Sequence, residues 1–152
     1  SVTRTRVGDT YVSDELKKGG GFGGEPSGSW IFPGISLCPD GIYAAARVVA
    51  IAGRQKLSQL VDGVPCYPIL RGSLAGEGVV MPKLEECLMA MKPKLVNNID
   101  GVRLDFEDGW LLIRASGTEP KIRITAEAKS EARVRQLYDS GIRAIKECTE
   151  ER

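Results

Sequence analysis

The stretch VRLDFEDGWLLIRASGTEPKIRITAEA, residues 102–128, decides the fold of the second half of this chain. In residues 102–107 apolar and charged side chains alternate, which predicts a strand with one buried face. Asp108-Gly109 is a two-residue turn signal that leads into a second apolar run. A third strand is predicted at Lys121–Ala128, and helical apolar spacing follows it. The pattern predicts an α+β domain, with an antiparallel sheet of about four strands and helices packed on one face.

A separate segment precedes this domain. Residues 41–52 have the apolar spacing of a helix, Asp40 is a suitable N-cap and Gly53 a suitable end. We therefore expect a domain boundary at this glycine, with one domain at residues 1–52 and another at residues 53–152.

Composition excludes several classes of chemistry. The 152 residues include 21 Lys+Arg, 20 Asp+Glu and no His, so neither a Ser-His-Asp triad nor an HExxH zinc helix is available. No activated nucleophile and no metal-ligand spacing is visible, so we expect no catalytic and no metal-binding residue in the chain. A net charge of +1 argues against nucleic-acid and anionic-membrane partners.

The four cysteines and the hydropathy pattern indicate the cellular compartment in which the protein is expected. Cys38, Cys66, Cys87 and Cys148 each lie among apolar neighbours, which predicts small core residues in a reducing cytoplasm. No apolar run approaches the roughly 20 residues of a membrane helix, and no signal peptide is visible.

The segment RASGTEPKIR, residues 114–123, is the strongest candidate site. It joins two predicted strands and concentrates hydroxyls, a glycine and cations, the groups that bind a phosphate dianion. The candidate ligands are Arg114, Ser116, Gly117, Thr118, Lys121 and Arg123. An ordinary turn with incidental polar residues is the alternative interpretation.

A second candidate is GGEPSGS, residues 23–29. Glu25 could bridge two vicinal hydroxyls and Ser27 adds a donor and acceptor, although the composition also fits a flexible linker. Asp9, after Gly8, is a turn residue by default.

Together these motifs resemble the α-D-phosphohexomutase family, in particular its archaeal phosphoglucosamine/phosphomannomutase branch. The matching segments are TRTRVGDTYV (residues 3–12), GGEPSGSWIFP (23–33), DGIYAAARV (40–48), and IDGVRLDFEDGWLLIRASGTEPKIRI (99–124). Members interconvert hexose or hexosamine 1-phosphates and 6-phosphates through a bisphosphate intermediate.

The resemblance implies a C-terminal fragment of a four-domain enzyme. Residues 1–52 would end the third, α/β domain and residues 53–152 would form the fourth. The family's phosphoserine loop and its Mg²⁺ loop belong to the two missing N-terminal domains, which would be partners of this chain. A sugar phosphate is the implied substrate, and the chain alone is expected to be inactive.

The resemblance also implies roles for the candidate residues. Glu25 and Ser27 would hold sugar hydroxyls, with Asp9 facing the sugar. The non-reacting phosphate would be bound by Arg114, Ser116, Gly117, Thr118 and Arg123. Ser29 stands where many members have a histidine. Two alternatives stay open, a stand-alone phosphosugar-binding or regulatory module and a nucleic-acid-binding sheet.

Overall fold

The computed structural model describes residues 1–76, 79, 81–117 and 119–150, and for residues 149 and 150 it describes the backbone only. The chain divides into two compact units, residues 1–65 and the part from residue 66 onward. This division lies after helix α3 (Leu57–Asp62), whereas the sequence places the boundary before it, at Gly53. Helix α3 therefore belongs to the first compact unit.

The first unit contains three helices and a short hairpin. Its elements are α1 (Asp9–Lys17), β1 (Gly23–Gly24), β2 (Trp30–Ile31), α2 (Gly41–Ala52) and α3. Asp40 caps α2 as predicted, because its Oδ1 accepts a hydrogen bond from the Tyr43 N–H at 2.8 Å. The unit has a small buried cluster, formed by Val12, Leu16 and Ile31.

The second unit is built on a five-stranded antiparallel sheet. Its elements are β3 (Ile69–Ala75), α4 (Met81–Met89), β4 (Leu95–Asn97), β5 (Val102–Asp105), β6 (Gly109–Ala115), β7 (Lys121–Ala128) and α5 (Glu131–Glu150). The strand order is β3-β7-β6-β5-β4. The sequence predicts about four strands, so the observed sheet is one strand larger than expected. Strands β3 and β4 form its edges.

One face of this sheet is covered by helices. Helix α5 packs on β6 and β7, and α4 packs on α5. Apolar side chains of the strands join those of both helices in one core, including Leu84, Leu104, Leu111, Ile124, Val134 and Ile145. Because side chains alternate along a strand, the polar residues between these positions line the opposite face. The predicted α+β architecture is confirmed.

The cysteines differ in their surroundings. Cys148 is buried and Cys87 is half-buried, but Cys38 and Cys66 are exposed and all four thiols are free. The expectation of core cysteines is therefore wrong for Cys38 and Cys66, because both lie in loops, where apolar sequence neighbours do not ensure burial. Within the described residues, no helix has the length and apolarity needed to cross a membrane.

Candidate functional site

Two arginines lie side by side at the base of the loop between β6 and β7. Arg114 on β6 and Arg123 on β7 are direct cross-strand partners in the sheet register. Like charges that face each other across a strand pair repel, which destabilises the pair unless negative charge is close. The register therefore concentrates positive charge at this place, and Ser73 lies next to Arg123 on the neighbouring strand β3.

Carboxylates lie beside both arginines. Asp100 Oδ2 accepts a hydrogen bond from Arg114 Nη1 at 3.3 Å. Glu119 Oε2 lies 3.8 Å from Arg123 Nη2, and its Oε1 accepts from Lys121 Nζ at 3.1 Å. Neither carboxylate is among the candidate ligands that the sequence suggests. The turn signal Asp100-Gly101 locates one of them, but its pairing with Arg114 depends on the strand register.

The loop between the arginines is anchored at both ends. The Ser116 N–H donates to the Lys121 carbonyl at 2.8 Å, and the Gly76 N–H donates to the Pro120 carbonyl at 3.0 Å. Gly117 is exposed, and a Cβ added to it would meet no atom of the described residues within 4 Å. A ligand can therefore approach the backbone closely at this glycine. Thr118, the remaining candidate of this loop, lies outside the described residues.

The glycine-rich segment of the first unit is a closed hairpin. Strands β1 and β2 pair antiparallel, and Glu25 and Ser29 close the loop through a backbone hydrogen bond of 3.0 Å. The Glu25 carboxylate accepts a hydrogen bond from the Gly8 N–H at 2.7 Å. This contact links the VGD motif to the GGEPSGS motif, seventeen residues further along the chain.

Close packing holds this hairpin against α1. A Cβ on Gly23 would lie 2.5 Å from Val12 Cγ1 and 2.8 Å from Leu16 Cδ1, so a larger residue would displace the hairpin from the helix. The packing and the contact with Gly8 argue against a freely flexible linker, the alternative that the composition left open.

The other residues predicted for sugar binding lie around this contact. Asp9 occupies the first turn of α1, next to Gly8, and its Oδ1 is buried with no hydrogen-bond partner among the described residues. Ser27 is exposed at the tip of the hairpin loop. Ser29, at the position of the family's histidine, contributes its carbonyl to the loop closure. The structure thus brings Asp9 and Glu25 into one neighbourhood through Gly8.

Comparisons with known proteins identify the two parts of the chain. Residues 1–67 match the family model described as phosphoglucomutase/phosphomannomutase, alpha/beta/alpha domain III. Residues 79–143 match the model described as the C-terminal domain of the same family. Two domains of one enzyme class thus account for most of the sequence.

Individual relatives support the same assignment. The chain is 47% identical to a probable phosphoglucosamine mutase of Methanosarcina barkeri, over 96% of this chain and 34% of that protein. It is 42% identical to the phosphoglucosamine mutase of Methanococcus aeolicus, over 97% of this chain and 34% of that protein. The chain spans about a third of the length of these curated relatives.

A solved structure supports the assignment at the level of the fold. A phosphoglucomutase/phosphomannomutase family protein of Burkholderia thailandensis superposes with a TM-score of 0.79 and 28% identity, over 97% of this chain and 32% of that one. The chain belongs to the phosphoglucomutase/phosphomannomutase family and carries sequence from two of its domains.

Proposed function

We propose that this chain is the substrate-binding portion of a phosphohexomutase, an isomerase that moves a phosphoryl group between the 1- and 6-positions of a hexose or hexosamine. The names of the Methanosarcina and Methanococcus relatives favour a glucosamine phosphate as the substrate. In this proposal the second unit binds the phosphate that does not react, and the first unit binds the sugar.

The adjacency of Arg114 and Arg123 is the observation that carries the proposal. A phosphate dianion placed between the two guanidinium groups would relieve their repulsion and accept charge-assisted hydrogen bonds from both. Ser116 and Gly117 would add a hydroxyl and backbone donors, and Thr118 is proposed to complete the set from its place in the sequence.

Sugar recognition is assigned to the first unit. The hydrogen bond from Gly8 uses one oxygen of the Glu25 carboxylate and leaves the other for a sugar hydroxyl. The buried Oδ1 of Asp9, which has no partner in the described part of the chain, can accept a hydrogen bond from a further hydroxyl, and exposed Ser27 can donate or accept. Binding energy from these groups would position the distant reacting oxygen, which is how contacts away from the chemistry accelerate transfer.

The transfer step itself is assigned to other parts of the enzyme. Among the described residues no group of three His, Cys, Asp or Glu side chains could hold a metal ion, so none of them is given a role in binding Mg²⁺. We propose that Mg²⁺ and the phosphoserine act from N-terminal domains of a longer protein. We also propose a cytoplasmic location, which agrees with the free cysteines. This chain alone is therefore expected to show no turnover of glucosamine 6-phosphate in the presence of the bisphosphate and Mg²⁺.

An NMR titration of the chain with inorganic phosphate tests the binding role. We expect amide shifts at Ser116 and Gly117 with millimolar affinity, about 4 kcal/mol, because the sugar contacts are not used. Arg114→Ala should abolish the shifts, since loss of one charge-assisted pair removes about 1.5–3 kcal/mol. The matched control is Arg103→Ala, which removes an arginine of β5 that pairs with Asp105 and stacks on Trp110.

Two results would contradict the proposed phosphate site, namely shifts that cluster away from the loop and shifts that survive Arg114→Ala. Glu25→Ala serves as a second control, because that residue lies in the other unit and should leave phosphate binding unchanged. Turnover by the chain alone would show that the catalytic groups are not confined to other domains.

The alternative function, a binding or regulatory module without catalysis, makes a different prediction. Such a module would bind glucosamine 6-phosphate far more tightly than inorganic phosphate in the same titration, because both units would then act without other domains.

A further inference from the structure

The turn between β4 and β5 contacts the first arginine of the proposed phosphate site. Gly101 in this turn has a φ of +81°, and a Cβ on it would lie 2.4 Å from the Ile113 carbonyl oxygen and 2.6 Å from Arg114 Cβ. A side chain at this position would be strained and would collide with β6. Glycine therefore lets the turn lie directly against the backbone that carries Arg114.

The preceding residue reaches the arginine itself. Asp100 Oδ2 accepts from Arg114 Nη1 at 3.3 Å, and the Arg114 and Asp100 side chains are 26% and 33% exposed. A guanidinium group has five N–H donors in one plane, so this single contact leaves most of them available. Holding one nitrogen restricts a side chain that is otherwise long and flexible.

The strand order separates this contact from the space where phosphate would bind. Arg114 lies on β6, with β5 on one side and β7 on the other. Asp100 approaches from the β5 side, whereas Arg123 and the end of the loop lie on the β7 side. The carboxylate can therefore hold Arg114 without entering the space between the two arginines.

We propose that Asp100 is a positioning residue that orients the Arg114 guanidinium for phosphate, and that Gly101 lets the turn come close enough for it to do so. The inference rests on the proposed function, since it concerns the same phosphate site. The inference predicts that removal of the Asp100 carboxylate weakens phosphate binding. Simple electrostatics predicts the opposite, because loss of a negative charge near a dianion site strengthens binding of the dianion.

Titration with inorganic phosphate by NMR separates these two effects. We expect Asp100→Asn to weaken binding by about three- to ten-fold, because Arg114 loses its charge-assisted contact. The matched control is Asp105→Asn, which removes the same charge from the other end of β5, where Asp105 lies opposite Trp110 and pairs with Arg103 at 2.6 Å. The control should bind within about two-fold of the wild type, since a screened charge at the end of β5 away from the loop acts weakly on bound phosphate.

The Arg114 Nη1–Hη signal, from the nitrogen that donates to Asp100 Oδ2, gives a second, ligand-free readout. In the wild type it should be resolved from the signals of exposed arginines. In Asp100→Asn it should move towards those signals, while the backbone amide spectrum of the core strands stays unchanged. A merely structural role of Asp100 would instead shift the core amides and lower the melting temperature.

Three results would overturn the inference, namely tighter binding by Asp100→Asn, wild-type affinity in that variant, and an equal loss in Asp105→Asn. The first would show that the Asp100 carboxylate competes with phosphate. If Arg114→Ala abolishes phosphate binding but Asp100→Asn leaves it unchanged, only this inference is refuted and the proposed function stands. Loop shifts that are absent from the wild type, or that survive Arg114→Ala, refute the proposed function and the inference with it.

Discussion

At the scale of single residues, Glu25 joins two segments of the proposed sugar-binding site. Its carboxylate accepts the Gly8 N–H at 2.7 Å, so it holds the start of α1 beside the β1–β2 hairpin. The sequence singles out Glu25 and Asp9 separately, but their closeness depends on the packing of the hairpin against α1, which no local pattern encodes. Loss of the carboxylate would leave a part-buried N–H without a partner.

Cys148 offers a pH-dependent prediction at the same scale. Its Sγ lies 3.4 Å from Cys87 Sγ, and burial, followed by the hydrogen bond to Cys87, raises the pKa of the Cys148 thiol from 9.0 to about 11. Because folding raises the pKa of the Cys148 thiol, the protonated thiol makes its full contribution to stability below pH 9. This contribution disappears as pH rises towards 11. The loss should be on the order of 1–3 kcal/mol.

Urea denaturation at pH 7, 9 and 10.5 measures this effect. Other groups also titrate in this range, so wild type is compared with Cys148→Ala at each pH. The stability difference between the two proteins should shrink as pH rises. A constant difference would mean that the thiol keeps an ordinary pKa in the folded protein.

At the scale of elements, the neighbouring strands β4 and β5 allow a direct test of which sheet face forms the core. Leu104 is fully buried on β5, whereas Leu95 on β4 is 61% exposed. We expect Leu104→Ala to lower the free energy of unfolding by about 2–5 kcal/mol through lost burial and a cavity. Leu95→Ala removes the same atoms from an exposed position and should change it by less than about 1 kcal/mol. Chemical denaturation of both variants gives the comparison, and similar losses would contradict the assigned faces.

Most of the second unit was predictable because its signals are local. The alternation in residues 102–107 and the Asp108-Gly109 turn predicted a hairpin, and the Phe106 N–H indeed donates to the Gly109 carbonyl at 2.8 Å. Strand β3 was harder, because Gly72 interrupts its pattern and its partner β7 is distant in sequence. Glycine is needed at position 72 because a Cβ there would collide with the hydroxyl of Tyr138 on α5. This requirement comes from tertiary packing and cannot be read from the local sequence.

At the scale of the whole molecule, the two units should differ in stability. The first unit buries few apolar side chains, and several of its large ones are exposed, including Ile42 at 88% and Val49 at 71% on α2. The second unit has one continuous core beneath its sheet. Hydrogen exchange should therefore show strong amide protection in β5, β6 and β7 and weak protection in residues 1–52. Equal protection in both units would show that the first is a complete, independently stable domain.

The strand order has a consequence for the path of folding. Strands β5, β6 and β7 follow one another in sequence and are neighbours in the sheet, so their pairing closes only short loops. Strand β3 pairs with β7 across more than forty residues, and its loop closure costs more entropy. The three-stranded meander can therefore form early. The two ends of the segment that joins β6 to β7 are then already held in place by the paired strands. Edge strand β3, which is added later, can vary in length and sequence without changing where the two arginines meet.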